Sequence, residues 1–201
     1  GSYGLFISIF LSVSAFCNAG FDILGFQGEF CSLTNYTDDP MVQFTVMGLI
    51  IVGGLGFIVW NDLLHYRRTK KLLLHSRIVL WATAILLLTG TVLICLLEWN
   101  NPDTLGALPV SQRLTAGLFQ SVTMRTAGFN TIDLASMREM TKIVSIVLMF
   151  IGAAPGSTGG GIKVSTMTVV ITTAISTIRG YNVPVIGHRK ISPSVVYRSL
   201  S

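Results

Sequence analysis

The chain has 201 residues, of which 51% are hydrophobic and 11% charged, and its mean hydropathy is +0.67. Soluble domains carry about 25% charged residues, so this deficit excludes an ordinary water-soluble fold and makes lipid the expected solvent. The net charge of +5 does not imply nucleic acid, because the basic residues lie between long apolar runs rather than along one polar face.

Four windows carry no charge: 1–21, 41–61, 78–97 and 143–162. The second and third each suit one helical span, which needs about 20 residues. The segment between them, NDLLHYRRTKKLLLHSR, holds Arg67, Arg68, Lys70, Lys71 and Arg77 against Asp62 alone, which places it in the cytoplasm. Residues 22–40 contain Asp22, Glu29, Asp38 and Asp39 with no base and belong outside, whereas the tail with Arg179, Arg189, Lys190 and Arg198 belongs inside. Helix 41–61 then runs inward and 77–98 returns, leaving Glu98 to Pro109 outside. Residues 110–130 must start and finish on the outer side, and they are too few to cross twice as helix. A re-entrant pore loop is the remaining solution, tolerated at membrane depth where protein or water covers its backbone. The fourth window runs on past Lys163 to Ile178, too long for one crossing, so a break is expected in its Gly-rich middle.

Asp38 and Asp39 suit a solvated outer rim and a helix cap before Pro40, or cation enrichment at a mouth. Cys17, Cys31 and Cys95 lack CxxC spacing and suit small buried thiols. His65, His75 and His188 sit among basic residues near cytoplasmic ends and are not expected to bind metal.

The chain repeats itself at an offset of 108: SVSAFCNAGFD at 12–22 matches QSVTMRTAGFN at 120–130. The shared core is Ala-Gly-Phe, preceded by Asn18 or Thr126, while the Ser-Val pairs match only after a slip of one residue. Each unit has an apolar half-helix, the turn, an outer loop and a long apolar helix. A dehydrated monovalent cation needs oxygens in place of its water shell, and rings of backbone carbonyls supply them. Aiming successive carbonyls along one axis requires conformations that glycine adopts without steric cost. The half-helix points its carbonyl end inward, where its dipole favours a cation, and the aromatic can wedge the turn against neighbouring helices. The carbonyls of Asn18, Ala19, Gly20 and Phe21, with those of Thr126, Ala127, Gly128 and Phe129, are the candidate ion ligands. Arg125, beside this turn, is expected behind it, neutralised by a carboxylate such as Asp133 or Asp22, because unpaired charge at depth is costly.

Ala153, Ala154, Pro155, Gly156, Ser157, Thr158, Gly159, Gly160 and Gly161 with Lys163 form the break in the last apolar segment. A phosphate-binding loop running from Gly156 needs Lys directly after Gly161, where Ile162 stands. Close helix packing through Gly152, Gly156 and Gly160 is a second reading, and an unwound transporter loop is the third. There Ser157 and Thr158 would offer hydroxyls to a cavity. Lys163 would either face the inner mouth or snorkel to the interface.

SAFCNAGFD, FQSVTMRTAGFNTID and IGAAPGSTGGGIKVST together resemble the membrane subunit of the Trk/Ktr/HKT potassium-transporter superfamily, most closely its bacterial KtrB branch. The resemblance implies an all-α membrane protein built from helix–pore loop–helix repeats, four around one pore, of which this chain is a partial set. Residues 1–66 would supply the second repeat, 67–77 a cytoplasmic linker, 78–178 the complete third repeat, and 179–201 a linker and the start of the fourth. It implies K+ uptake in a bacterial plasma membrane, residues 153–163 acting as an intramembrane gate, and Na+ as an activator or symported ion. It also implies a homodimer docked on a cytoplasmic nucleotide-binding ring subunit of the KtrA kind, with no organic cofactor and no nucleic acid. Related Na+-selective members carry Ser at one filter glycine, so Gly20 and Gly128 favour K+ over the Na+-permeable alternative. A nucleotide-dependent membrane enzyme and a purely structural membrane module are the alternatives from other classes.

Overall fold

The computed structural model describes residues 2–28 and 31–180, and the backbone of 185–186 and 189–190. Expectations for Glu29, His188 and Arg198, and for the side chains of Arg189 and Lys190, lie outside the described residues. Seven helices follow in order: α1 (Ser2–Phe16), α2 (Pro40–Leu55), α3 (Phe57–Thr69), α4 (Leu74–Glu98), α5 (Val110–Thr123), α6 (Glu139–Phe150) and α7 (Val164–Ile178). A two-residue antiparallel pair, Val185–Ile186 with Arg189–Lys190, follows them.

Two half-helices, α1 and α5, each end in an Ala-Gly-Phe turn, as the repeat requires. α2 begins where expected, with Asp39 Oδ1 accepting from the amides of Met41 and Val42 at 2.9 and 3.2 Å and Pro40 in the first turn, where its missing N–H costs nothing. The span expected over 41–61 is not one straight helix. It breaks at Gly56, and α2 and α3 meet at 96°. Hydropathy cannot register this bend, because its cause is a tertiary contact: Gly56 has φ +83°, and a Cβ there would stand 2.6 Å from the Pro155 carbonyl oxygen. The basic segment 67–77 is therefore mostly helical, shared by the end of α3 and the start of α4, with Asp62 Oδ2 accepting from the Leu73 amide at 2.9 Å to close the turn.

α4 is the one described helix long and apolar enough to cross a membrane unaided, and it packs against α3, α5, α6 and α7. Its buried face mixes Ser76, Thr83, Gly90 and Glu98 with Val79, Ile94 and Cys95, while Trp81, Ile85, Leu88, Val92 and Leu96 stay exposed. Large apolar residues turned outward suit a helix in lipid, and small ones on the inner face let backbones approach. α2 packs on α1 and α5, so one cluster (Ala15, Val46, Ile50, Phe119, Val122, Ala127 and Phe129 among its members) joins both half-helices and the second turn. The outer loops zip together above it, through Leu33 N to Asn130 O at 3.0 Å and Thr37 Oγ1 to Thr131 O at 2.9 Å.

Candidate functional site

The two Ala-Gly-Phe turns have the same backbone signature. Asn18 (φ +50°) and Gly20 (φ +71°) flank Ala19 in one; Thr126 (φ +72°) and Gly128 (φ +95°) flank Ala127 in the other. Positive φ at every second residue turns successive carbonyls toward one side, where a uniformly extended strand would alternate them. Glycine reaches this region freely and Asn tolerates it, but a β-branched Thr there is strained, so its neighbours must hold Thr126 in place.

No backbone N–H among the described residues donates to the carbonyls of Asn18, Ala19, Gly20, Thr126, Ala127 or Gly128. The carbonyls of Phe21 and Phe129, expected to act with these six, differ from them. Each is tied back to its own half-helix, Phe21 O accepting from Ser14 Oγ at 2.6 Å and Phe129 O from Thr123 Oγ1 at 2.5 Å. The same ties explain the slip in the repeat. The Ala19 amide bonds to Ser14 O and the Ala127 amide to Thr123 O, both at 3.0 Å, so Ser14 matches Thr123 and the first unit has one extra residue between helix and turn.

The turns abut at their glycines: a Cβ on Gly20 would stand 2.5 Å from Ala127 O, and one on Gly128 3.0 Å from Gly20 Cα. Phe129 is buried and wedges its turn as expected, but Phe21 does not, being 71% exposed because no described element covers that side. Of the three thiols expected to be buried, Cys95 is; Cys17 is exposed and Cys31 half-buried.

Directly against the turns lies the Gly-rich break. The segment from Phe150 to Val164 folds back as a loop whose two ends run side by side in parallel at Ile151 and Ile162, with Gly152 N to Ile162 O at 3.0 Å, Ala153 N to Gly160 O at 3.1 Å and Ile162 N to Phe150 O at 3.1 Å. Its tip docks on the α2–α3 bend through Ala154 N to Gly54 O at 3.0 Å and Phe57 N to Gly156 O at 3.1 Å. Thr158 Oγ1 accepts from Asn18 Nδ2 and donates to Phe16 O, both at 2.9 Å, and Thr126 Oγ1 accepts from the Gly160 amide at 3.0 Å. The loop is thus bonded to the residue preceding Ala-Gly-Phe in each repeat.

The hydroxyls of Ser157 and Thr158 are engaged, Ser157 Oγ donating to Ala154 O at 2.6 Å. Lys163 turns back on its own loop, Nζ donating to Gly159 O at 2.7 Å. The amides of Gly152, Ala153, Ala154, Ser157, Thr158, Gly160 and Ile162 all donate to protein oxygens, whereas a phosphate loop keeps successive N–H groups for its anion.

Arg125 lies behind the second turn, 7% exposed, but neither Asp22 nor Asp133, the carboxylates expected to neutralise it, bonds to it. Its Nη2 donates to Gly152 O at 3.3 Å. Asp22 instead caps the Leu24 amide and Asp133 the Ala135 amide and Ser136 hydroxyl, short local bonds that hold both acids in their own loops. Among the described residues the one ion pair is Lys142–Glu139. On the outer side a cleft of about 510 Å³ is lined by Asp22, Gly128, Asn130 and Asp133. Hydrogen bonds from the Ser136 hydroxyl and the Ala135 amide hold the Asp133 carboxyl below the usual carboxylate range, so the cleft is negative at neutral pH.

Glu98, noticed in the sequence only as the outer end of a span, is fully buried. It accepts from Asn101 Nδ2 and Thr104 Oγ1 at 2.6 Å each, from the Arg138 amide at 2.9 Å, and from the Thr141 hydroxyl. One acid thereby ties the end of α4 to the outer loop and to the start of α6. The available signal was an acid closing a charge-free window. Glu98→Gln sets an NH2 against these donors, so it is expected to destabilise the protein by roughly 1–3 kcal/mol, read as a lowered thermal midpoint in detergent. An unchanged midpoint would show that the cluster carries no such load.

A family model described as TrkH, cation transport protein, matches residues 2–201. The chain is 41% identical over 200 residues to Ktr system potassium uptake protein B of Bacillus subtilis, covering 100% of this chain and 44% of that protein. It is 43% identical to the Vibrio alginolyticus protein of the same name, over 98% of this chain and 43% of that one. It is 40% identical to potassium/sodium uptake protein NtpJ of Enterococcus hirae, again over 98% and 43%. The chain thus spans less than half the length of these curated relatives. The crystal structure of the potassium transporter TrkH from Vibrio parahaemolyticus matches 93% of this chain and 39% of its own, with a TM-score of 0.74 at 18% identity. That likeness establishes the all-helical pore-loop fold.

Proposed function

This chain belongs to the TrkH family of cation transport proteins, and from that premise we propose that it supplies two of the filter segments and the gate of a potassium uptake pore. It is a multi-pass protein of the bacterial plasma membrane. The observation that carries the reading is the matched pair of turns, with the same alternation of φ and six carbonyls that no backbone amide among the described residues engages. At membrane depth an unpartnered carbonyl costs several kcal/mol unless it meets water or an ion. A dehydrated K+ is the ligand such carbonyls suit. Phe21 and Phe129 serve by anchoring the turns rather than as primary ligands. Two further segments, supplied outside this chain, complete the ring.

The loop at 153–163 is the gate, because its bonds to Asn18 and Thr126 set it against the turns. The acidic cleft concentrates cations at the outer mouth. The test is uptake of K+ against Na+ by the whole transporter in vesicles. A clear preference for K+ is expected, and equal uptake of both ions overturns the K+ assignment in favour of a Na+-permeable pore, with Na+ then cargo rather than activator.

The partner is a cytoplasmic regulatory subunit of the nucleotide-binding ring kind, received by a homodimer of pores. The basic end of α3, with Arg67 and Arg68 exposed, and the pair Arg189–Lys190 form the receiving face. Reversing Arg67 and Arg68 to Glu is expected to weaken co-purification with that subunit by tenfold or more, about 1.4 kcal/mol. Undiminished capture assigns these residues to anionic headgroups instead.

A further inference from the structure

A groove of about 490 Å³ runs between α4 and α7, away from the turns and the outer cleft. Its walls are apolar, with Ile78, Trp81 and Ile85 on α4 facing Met167 and Ile171 on α7. The two hydroxyls that reach it are already bonded within α7, Thr168 Oγ1 to Val164 O at 2.8 Å and Thr172 Oγ1 to Thr168 O at 2.7 Å. Nothing in the groove therefore asks for a polar guest. One charged side chain lines it, Arg77, at the end where α4 begins. That end is cytoplasmic by the distribution of basic residues.

We propose that this groove binds one anionic phospholipid of the inner leaflet, an acyl chain between α4 and α7 and the phosphate on Arg77. The dimensions agree. From Leu74 to Leu86, both lining the groove, α4 rises about 18 Å at 1.5 Å per residue, against roughly 15 Å for one leaflet of a bilayer core. Trp81, 65% exposed, sits one turn beyond Arg77, where an amphipathic ring meets the headgroup boundary. The position has a consequence for the loop at 153–163. Ile151 and Val164 both line the groove and stand at the two ends of that loop, so a seated acyl chain braces both ends at once. The lipid assignment depends on the orientation of α4 alone and stands or falls independently of the filter reading.

Trp81 reports occupancy directly. The whole transporter is placed in phosphatidylcholine vesicles containing increasing fractions of phosphatidylglycerol brominated in mid-chain, and fluorescence quenching is compared between the protein and its Trp81→Phe variant. The Trp81 component is expected to quench with a roughly fivefold preference for phosphatidylglycerol over brominated phosphatidylcholine, the discrimination one basic residue near an anionic lipid provides. Arg77→Gln should abolish that preference without preventing quenching, and Ala82→Phe, which fills the groove wall, should reduce quenching by both lipids. Absence of Trp81 quenching overturns the proposal by showing that another segment of the protein, or a second copy, covers the groove. Equal quenching by the two lipids, unaffected by Arg77→Gln, overturns it by showing bulk lipid contact without a headgroup site.

Discussion

Deleting Gly159, Gly160 and Gly161 from the whole transporter is expected to raise potassium uptake tenfold to a hundredfold while leaving discrimination against Na+ intact. The deletion removes the Gly160 amide that donates to Thr126 Oγ1, the Gly160 carbonyl that accepts from Ala153, and the Gly159 carbonyl that holds Lys163. Each such bond contributes about 0.5–1.5 kcal/mol net. Losing three shifts the closed loop by roughly 1.5–4.5 kcal/mol, and the lower half of that range, about 1.4–2.8 kcal/mol, is tenfold to a hundredfold in population. Selectivity should survive, because the turns are set by their own ties to Ser14 and Thr123 and by Phe129 in the core, none of which the deletion touches. Thr158→Val offers a milder version. It cuts the bridge from Asn18 to Phe16 without shortening the loop, and uptake should rise by about tenfold or less. A deletion variant that reaches the membrane folded and transports no faster would make the loop packing between α2 and the turns rather than a gate.

The broad plan was legible because it rests on counts that lipid enforces. Residues 110–130 could only be re-entrant, and the apolar segment ending at Ile178 could only be broken, since hydropathy, charge and length leave no other path. Asp39 before Pro40 announced a helix start by local chemistry. The Gly-Gly-Leu-Gly run at 53–56 was equally visible but was absorbed into a span. Its bend exists because Gly156 and Pro155 arrive from a hundred residues away, and nothing local encodes their arrival. The same limit applies at Arg125. A buried guanidinium implies a partner, but its choice of the Gly152 carbonyl over a carboxylate depends on where the loop lies. Identical motifs also acquired different surroundings: Phe129 is enclosed and Phe21 is not, although both follow Ala-Gly. The extra residue in the first half-helix unit was visible only as a slipped Ser-Val match, and its meaning required the bonds to Ser14 and Thr123.

Whether the two Ala-Gly-Phe turns coordinate the permeating ion is decided most directly at Gly128. Gly128 holds φ +95°, and a Cβ there would press on Gly20 Cα at 3.0 Å. A serine must bear the left-handed conformation, which costs an L-residue roughly 1–2 kcal/mol, and must push the opposing turn aside. Both effects displace carbonyls whose spacing decides between a larger and a smaller ion. The measurement is the ratio of K+ to Na+ uptake by the whole transporter and its Gly128→Ser variant in vesicles under identical gradients. The account predicts at least a tenfold fall in that ratio, about 1.4 kcal/mol, with K+ uptake still measurable. A folded variant that transports K+ and keeps the original ratio would contradict it.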